Sequence, residues 1–203
     1  MADAGVATKS AALALADERA LMRQGHQFLD EKRMLLAAEM LRGLKQHETL
    51  SADLAQALQA AQAALKLALQ RHGLEGLQAY PSLFFSPIEP QVTHAVFLGV
   101  RTVAAAFAPL ASAAGDRVVD ASPEAQACRD AYLALLGPLA RLAACAGNLE
   151  RLAAEYRRTE RRAKALENVL LPEIEHALSA IEDRLEEGDQ EEAVRVRLAG
   201  RRR

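Results

Sequence analysis

Along the last third of the chain, from Leu149 to Glu191, apolar residues recur three or four apart with charges between them: Leu149, Leu152, Tyr156, Ala163, Leu166, Leu170, Ile174, Leu178, Ile181 and Leu185. That spacing predicts a long amphipathic helix whose apolar seam packs on a partner strand. A second such pattern lies near the other end, where Leu21, Phe28, Leu35, Leu44, Leu54, Leu58, Leu65 and Leu69 fall at helical spacing and no proline occurs between Ser10 and His72. The partner is therefore expected to be internal. Ser10 is expected to cap the first helix and Gly73 to end it, because glycine tolerates the left-handed conformation that closes a helix. Gly25 and Gly43 each cost about 1 kcal/mol relative to Ala inside a helix, so they are expected to allow close approach by another chain.

The middle of the sequence breaks the helical pattern with Gly76, Pro81, Pro87, Pro90, Gly99, Pro109 and Gly115. Within it, Val92 to Val103 is rich in β-branched residues around a turn glycine, which predicts a short hairpin. Ser122-Pro123-Glu124 then reads as a helix start, with Ser at the cap, Pro at the first helical position and an acid in the first turn. Gly137-Pro138 predicts a bend and Pro172 another, since proline removes a backbone donor and clashes with the preceding turn. Around Pro172 the seam steps through 163, 166, 170 and 174, an eleven-residue spacing that should relax a left-handed supercoil locally. Gly188-Asp189 should loosen the helix before an arginine-rich end.

These elements make an all-α fold: a long antiparallel two-helix coiled-coil hairpin with a small irregular or β-hairpin-bearing head in the middle of the chain. The expected division is a flexible N-terminus over 1–9, a coiled-coil helix over 10–72, the head over 73–121 with a possible hairpin over 92–103, a second coiled-coil helix over 122–187 and a basic tail over 188–203. Each helix of ~60 residues would be about 90 Å long at 1.5 Å per residue. A rod of this kind encloses no pocket.

Composition supports the helical reading. The chain has 203 residues with 51% hydrophobic content, only 4% aromatic residues and no Trp, which is the character of an Ala/Leu-rich helical protein. A net charge of -2 provides no global basic field and argues against nucleic acid as a partner. Cys128 and Cys145 have no CxxC or Cys/His spacing, so they are expected as buried free thiols. The N-terminus lacks the apolar core of a signal peptide, and no stretch is expected to reach the ~20 apolar residues that span a bilayer. The reading is therefore a chain without direct membrane insertion.

Catalytic chemistry is not indicated. His26, His47, His72, His94 and His176 are scattered outside any HExxH-like ligand spacing, and His47 falls among apolar helix positions as a packed or rim residue. The run from Glu155 to Lys164 alternates sign at i and i+4, as a solvated, salt-bridged helix face does. Glu173 and His176 form an i, i+3 pair without a mate on a facing helix. No catalytic, cofactor-binding or metal site is expected, and no cofactor. A helical-hairpin scaffold or chaperone-like interaction protein fits the periodicity equally well at this point.

Specific residues add a likeness. Arg157, Arg158, Arg161 and Arg162 precede Ala165-Leu166-Glu167-Asn168, Pro172-Glu173-Ile174-Glu175 and Ile181-Glu182-Asp183-Arg184-Leu185-Glu186-Glu187. In that order they resemble the C-terminal signature of the D subunit of vacuolar/archaeal-type (V/A-type) rotary ATPases. Thr8-Lys9-Ser10, Gly25-His26, Leu29, Lys32-Arg33 and Leu36 are similar to the family's opening helix. Phe97-Leu98-Gly99-Val100-Arg101 sits where that family carries a Met-Gly-Val-like hairpin segment. The resemblance implies a non-catalytic central-stalk rotor subunit that transmits torque between the catalytic A/B hexamer and the membrane rotor ring, in ATP synthesis or ATP-driven ion transport. The partners implied are the F subunit, the catalytic A and B subunits and the funnel-shaped subunit on the ring. The location implied is cytoplasmic and peripheral to the membrane. On that reading Lys9, Arg19, Arg23, Arg184, Arg195 and Arg197 are candidate hexamer contacts, and Phe97, Leu98, Gly99, Val100 and Arg101 are candidate contacts toward the lower rotor.

Overall fold

In the computed structural model, residues 8–78, 89–107 and 122–201 are described. The chain is all-α with one small sheet. Helix α1 (Lys9–Gln78) is followed by strands β1 (Gln91–Phe97) and β2 (Val100–Ala106), then by α2 (Pro123–Ala134), α3 (Leu136–Ala165), a π-helical turn (Leu166–Leu170) and α4 (Leu171–Gly200). The long N-terminal helix, the long C-terminal helical run and the antiparallel hairpin between them match the expected fold class. The expected head over 73–121 falls partly on residues outside the described set.

The chain divides into two compact units, residues 1–35 with 156–203, and residues 36–155. In the first, α1 and the C-terminal run are antiparallel: Arg23 pairs with Glu175 at 2.7 Å and His26 with Glu167 at 3.8 Å. In the second the same sense holds, since Gly43 lies against Leu149 and Arg71 reaches Glu124.

Burial reveals the seam. On α1, Ala12, Leu15, Arg19, Met22, His26, Leu29, Arg33, Leu36, Met40, Gly43, His47, Leu50, Leu54, Ala57, Ala61, Ala64 and Ala68 are all buried or half-buried. They follow an unbroken alternation of three- and four-residue steps, the heptad spacing of coiled-coil packing. Leu36, Ala61 and Ala68 are completely buried. The seam expected from the large apolar residues was thus mostly the wrong stripe. Leu21 is 64% exposed, Phe28 64% and Leu35 53%, and Leu44, Leu58 and Leu69 are exposed as well. Counting big side chains favoured the outer face, because the inner one includes Arg19, His26, Arg33, Gly43 and His47.

The second strand keeps heptads from Cys128 to Leu166 through Leu135, Leu142, Cys145, Leu149, Leu152, Tyr156, Thr159 and Ala163. Beyond Leu166 the next covered residue is Leu171, five positions on, followed by Ile174, Leu178, Ile181 and Leu185 at heptad spacing. Leu170, expected on the seam, is 39% exposed. The distortion at Pro172 takes the form of a π turn, with the Leu171 N–H donating to the Leu166 carbonyl. A π turn accommodates one extra residue per turn. The expected eleven-residue step is therefore absorbed in a single widened turn, and heptads resume after it.

Local signals explain the helix ends. Thr8, not Ser10, caps α1: its Oγ1 accepts from the Ala11 N–H at 3.2 Å. Gly73, expected to end α1, instead kinks it at φ 67°, ψ 175°, and helical turns continue beyond it to Gln78. Ser122 caps α2, accepting from the Ala125 N–H at 3.4 Å, with Pro123 next and Glu124 in the first turn. Near Gly137-Pro138 the helix is interrupted at Leu135, whose N–H donates to the Tyr132 carbonyl at 3.2 Å in a tightened turn. α4 runs through Gly188-Asp189 to Gly200 without the loosening expected there. Within Pro123–Gly200 one 18-residue window reaches a mean hydropathy of 1.3 with 11% of it buried, so by length and composition it is apolar enough to cross a membrane. No such window was expected, because counting uninterrupted apolar residues passes over one that tolerates isolated charges.

The glycines differ from expectation too. A Cβ on Gly43 would stand 2.8 Å from Leu149 Cδ2, so its close neighbour is this chain's own second strand. A Cβ on Gly25 would meet Leu166 Cδ1 at 3.9 Å, an ordinary contact. Gly25→Ala should therefore raise stability by up to ~1 kcal/mol through helix propensity, whereas overpacking at Gly43→Ala should cancel or reverse that gain. Leu36→Ala should cost about 2–5 kcal/mol, and Leu35→Ala less than about 0.5 kcal/mol. Urea unfolding of the four variants measures both contrasts.

Candidate interaction surfaces

The residues expected at the joined chain ends lie on α1 and α4. Lys9 opens α1 and is exposed, Arg19 is half-buried on the seam, and Arg184 and Arg197 are exposed. Arg23 and Arg195 are exposed yet engaged, the first with Glu175 at 2.7 Å and the second with Glu191 at 3.3 Å. Exposed pairs of this kind are worth tenths of a kcal/mol, so a partner's carboxylate could displace either. The Glu155 to Lys164 run behaves as a solvated face: Arg157, Arg158, Arg161 and Arg162 are exposed and Lys164 pairs with Glu160 at 2.9 Å, while Thr159 and Ala163 turn into the seam. Arg202 and Arg203 lie outside the described residues.

The hairpin tip collects the second candidate set. Leu98 and Gly99 connect the strands with φ 49° and 86°. Positive φ at both positions marks the two-residue I′ type of turn, whose twist matches the strands. Phe97 pairs with Val100 and Val96 with Arg101 across the ladder. Val100 is only 6% exposed, so it packs within its own unit. Phe97 and Leu98 are half-buried, and Gly99 and Arg101 are exposed.

Sequence reasoning missed the residue that fixes this hairpin. Asn148 on α3 receives the Val103 N–H on Oδ1 at 2.8 Å and donates from Nδ2 to the Val103 carbonyl at 2.7 Å. Val103 faces His94 in the ladder. Counting from the turn, that is a non-hydrogen-bonded pair, whose backbone groups point outward to the sheet edge. The carboxamide thus substitutes for a third strand, and Arg151 holds its oxygen at 3.0 Å. The available signal was one Asn beside the small residues Ala143, Ala144, Ala146 and Gly147. Beneath the hairpin is an open groove of about 600 Å³, lined by residues that include Arg42, Gly43, Arg141, Cys145 and Leu152. Burial pushes both the Cys128 and Cys145 thiols above the usual thiol range. Among the described residues, no group of three or more His, Cys, Asp or Glu could hold a metal ion.

A polar cluster fastens the end of α1 to the start of α2. His72 Nε2 lies 2.6 Å from Ser122 Oγ, Ser122 donates to Glu124 Oε2 at 3.0 Å, and Arg71 reaches the same carboxylate oxygen. Because the single serine proton is directed at Glu124, His72 Nε2 is the donor to Ser122. The Arg71 guanidinium first, then backbone hydrogen bonding, holds the Glu124 carboxyl below the usual carboxylate range. The Lys164 ammonium does the same for Glu160.

Asn148→Ala should leave the Val103 backbone without its partner, costing about 1–3 kcal/mol and accelerating exchange of the Val103 amide, as amide-resolved hydrogen exchange will report. The depressed Glu124 and Glu160 values mean that their contribution is present above the ordinary carboxylate pKa and lost as pH falls through the folded value. Unfolding midpoints should therefore decline on acidification below pH ~4.5. Glu124→Gln should flatten part of that decline, and added salt should shrink it.

The whole-chain pattern finds its counterpart among known proteins. The family model for the ATP synthase D subunit matches residues 11–201. The V-type ATP synthase D subunit of Anaeromyxobacter dehalogenans (strain 2CP-C) is 33% identical over 195 residues, covering 94% of this chain and 92% of that protein. The V-type D subunit of Thermotoga neapolitana is 26% identical, covering 94% of both chains. The A-type D subunit of Methanopyrus kandleri is 27% identical, covering 94% of this chain and 83% of its own. With a family match from end to end of its helical strands, the chain belongs to the D-subunit family of ATP synthases and is a component of a V/A-type ATP synthase complex.

Proposed function

We propose that the chain is the central-stalk rotor subunit of its complex, a non-catalytic element that carries torque between the A/B catalytic hexamer and the membrane rotor ring. The observation that carries this reading is the outer stripe of α1. Leu21, Phe28 and Leu35 recur every seven residues at more than half exposure, with Met34 72% and Leu41 62% exposed beside them. Large side chains repeated on one helix face call for cover by another protein. The partners are the F subunit, the catalytic A and B subunits and the funnel-shaped subunit on the ring, with the chain peripheral to the membrane on its cytoplasmic side as part of that complex.

In this reading Lys9, Arg23, Arg184, Arg195 and Arg197 face the hexamer wall, with Arg19 reaching it from the rim of the seam, and the tip from Phe97 to Arg101 faces the lower rotor around the inward-packed Val100. An asymmetric helical surface favours a different conformation in each surrounding subunit through differential contacts, which biases nucleotide-site equilibria. It must also avoid one deep bound state. Exposed ion pairs such as Arg23–Glu175 exchange partners at a cost of tenths of a kcal/mol, giving shallow, repeated minima.

Co-purification is the first test: the tagged chain should recover A, B and F subunits, whereas capture of unrelated clients without them would favour a chaperone-like scaffold. In the assembled complex, Leu21→Asp with Phe28→Asp should reduce recovery of A and B by at least about tenfold, a loss of ~1.4 kcal/mol or more. Deleting residues 195–203 should lower the ratio of ions pumped to ATP hydrolysed; an unchanged ratio removes that segment from the mechanism.

A further inference from the structure

We propose that the π turn at Leu166–Leu170 is the torsionally compliant joint of the C-terminal strand, a deepening that rests on the rotor reading above. α1 keeps an unbroken three-four seam from Ala12 to Ala68, and the returning strand does so from Cys128 to Leu166 and again from Leu171 to Leu185. One residue in excess lies between Leu166 and Leu171, and the π turn holds it. Were that turn to close into α geometry, everything after it would rotate by about 100°, the angle of one helical residue. The widened turn and an α turn of the same five residues therefore differ in twist by that angle.

Packing around the turn is correspondingly thin. None of its residues is buried, and Glu167, Asn168, Val169 and Leu170 are all exposed. Upstream, Ala163 is 2% exposed, and downstream Ile174 is 8% exposed. Across from it stands Gly25, whose missing side chain leaves Leu166 only a loose neighbour. His26 reaches Glu167 at 3.8 Å and Asp30 at 4.0 Å, both at the outer limit of an ion pair. Segments with few buried contacts open at the lowest free energy. Pro172 fixes where this happens: it has no N–H to give, so the helical ladder is already broken two residues past the turn. Downstream, the buried Ile174 restores the seam.

The test removes the excess residue. Deleting Val169 together with Pro172→Ala joins Leu166 to Leu171 at the four-residue step that heptads require, without altering any buried side chain. In the isolated full-length chain, amides 166–171 should exchange faster than those of 156–163, and the variant should slow them by about tenfold or more. In the assembled complex, with a bead on the rotor and the hexamer held in a catalytic dwell, the variant should narrow the angular fluctuations. Pro172→Ala alone keeps the excess residue and should retain the broad distribution. Slowed exchange with an unchanged angular width would overturn the proposal, leaving the turn a mere repair of register. Equal exchange in the parent and deletion chains would overturn it as well. Failure of the parent chain to assemble with ATPase subunits would instead sink the rotor reading, and the exchange comparison would still judge the joint.

Discussion

The stability of this chain depends on seams whose residues must meet every third and fourth position. Few of those positions carry bulky apolar groups: Leu36 and Leu152 are fully engaged, but Gly43, Thr159, Ala61, Ala68 and Ala163 occupy equivalent places. Small residues let strands approach closely and contribute through many modest contacts, so the energy is spread along the seam instead of being concentrated in a core. Such a seam tolerates a polar residue at intervals, as at Arg19, His26 and Arg33, provided the polar ends reach the rim. What it does not tolerate is a change of register, and that is why the π turn dominates the local structure around Pro172.

How much of this was readable from residue order depends on what kind of signal each feature leaves. Helix identity, the antiparallel hairpin with its Gly99 turn, and the Ser122-Pro123-Glu124 start were legible because each is local chemistry with one good solution. The inner seam of α1 was not, because two apolar stripes compete on that helix and the more hydrophobic one faces outward. Intramolecular packing selected the stripe with continuous spacing over the stripe with larger side chains. The step from Leu166 to Leu171 was half legible: the eleven-residue spacing announced an irregularity, but whether the backbone would spread it over several turns or confine it to one follows from Pro172 and the exposure of Leu170. Asn148 was invisible because its partner is a backbone edge distant in sequence, and a carboxamide that mimics a strand leaves no periodicity. The basic candidates could be named by type, yet only the folded chain shows that Arg23 and Arg195 already have carboxylates of their own.

The hairpin and the cluster around Ser122 illustrate one solution to ordering a small appendage. A two-stranded ribbon is marginal by itself. Here a single carboxamide from α3 satisfies both backbone groups of Val103, and Val100 is buried within the unit. At the beginning of α2, Ser122 serves as helix cap and as a relay between His72 and Glu124. In both places one side chain meets several demands, so few residues suffice to tie α1 to the start of α2 and to seat the sheet.

The outward stripe of Leu21, Phe28, Met34, Leu35 and Leu41 also bears on the life of the chain before it finds company. Newly made copies present a row of greasy side chains at helical repeat, a surface that other nascent copies can match as readily as the intended assembly can. Unassembled excess is then a hazard to the cell, and selection should favour synthesis in proportion to the rest of the machine, with prompt capture or disposal of orphans. The same row of side chains would thus set a dosage constraint as well as an interface.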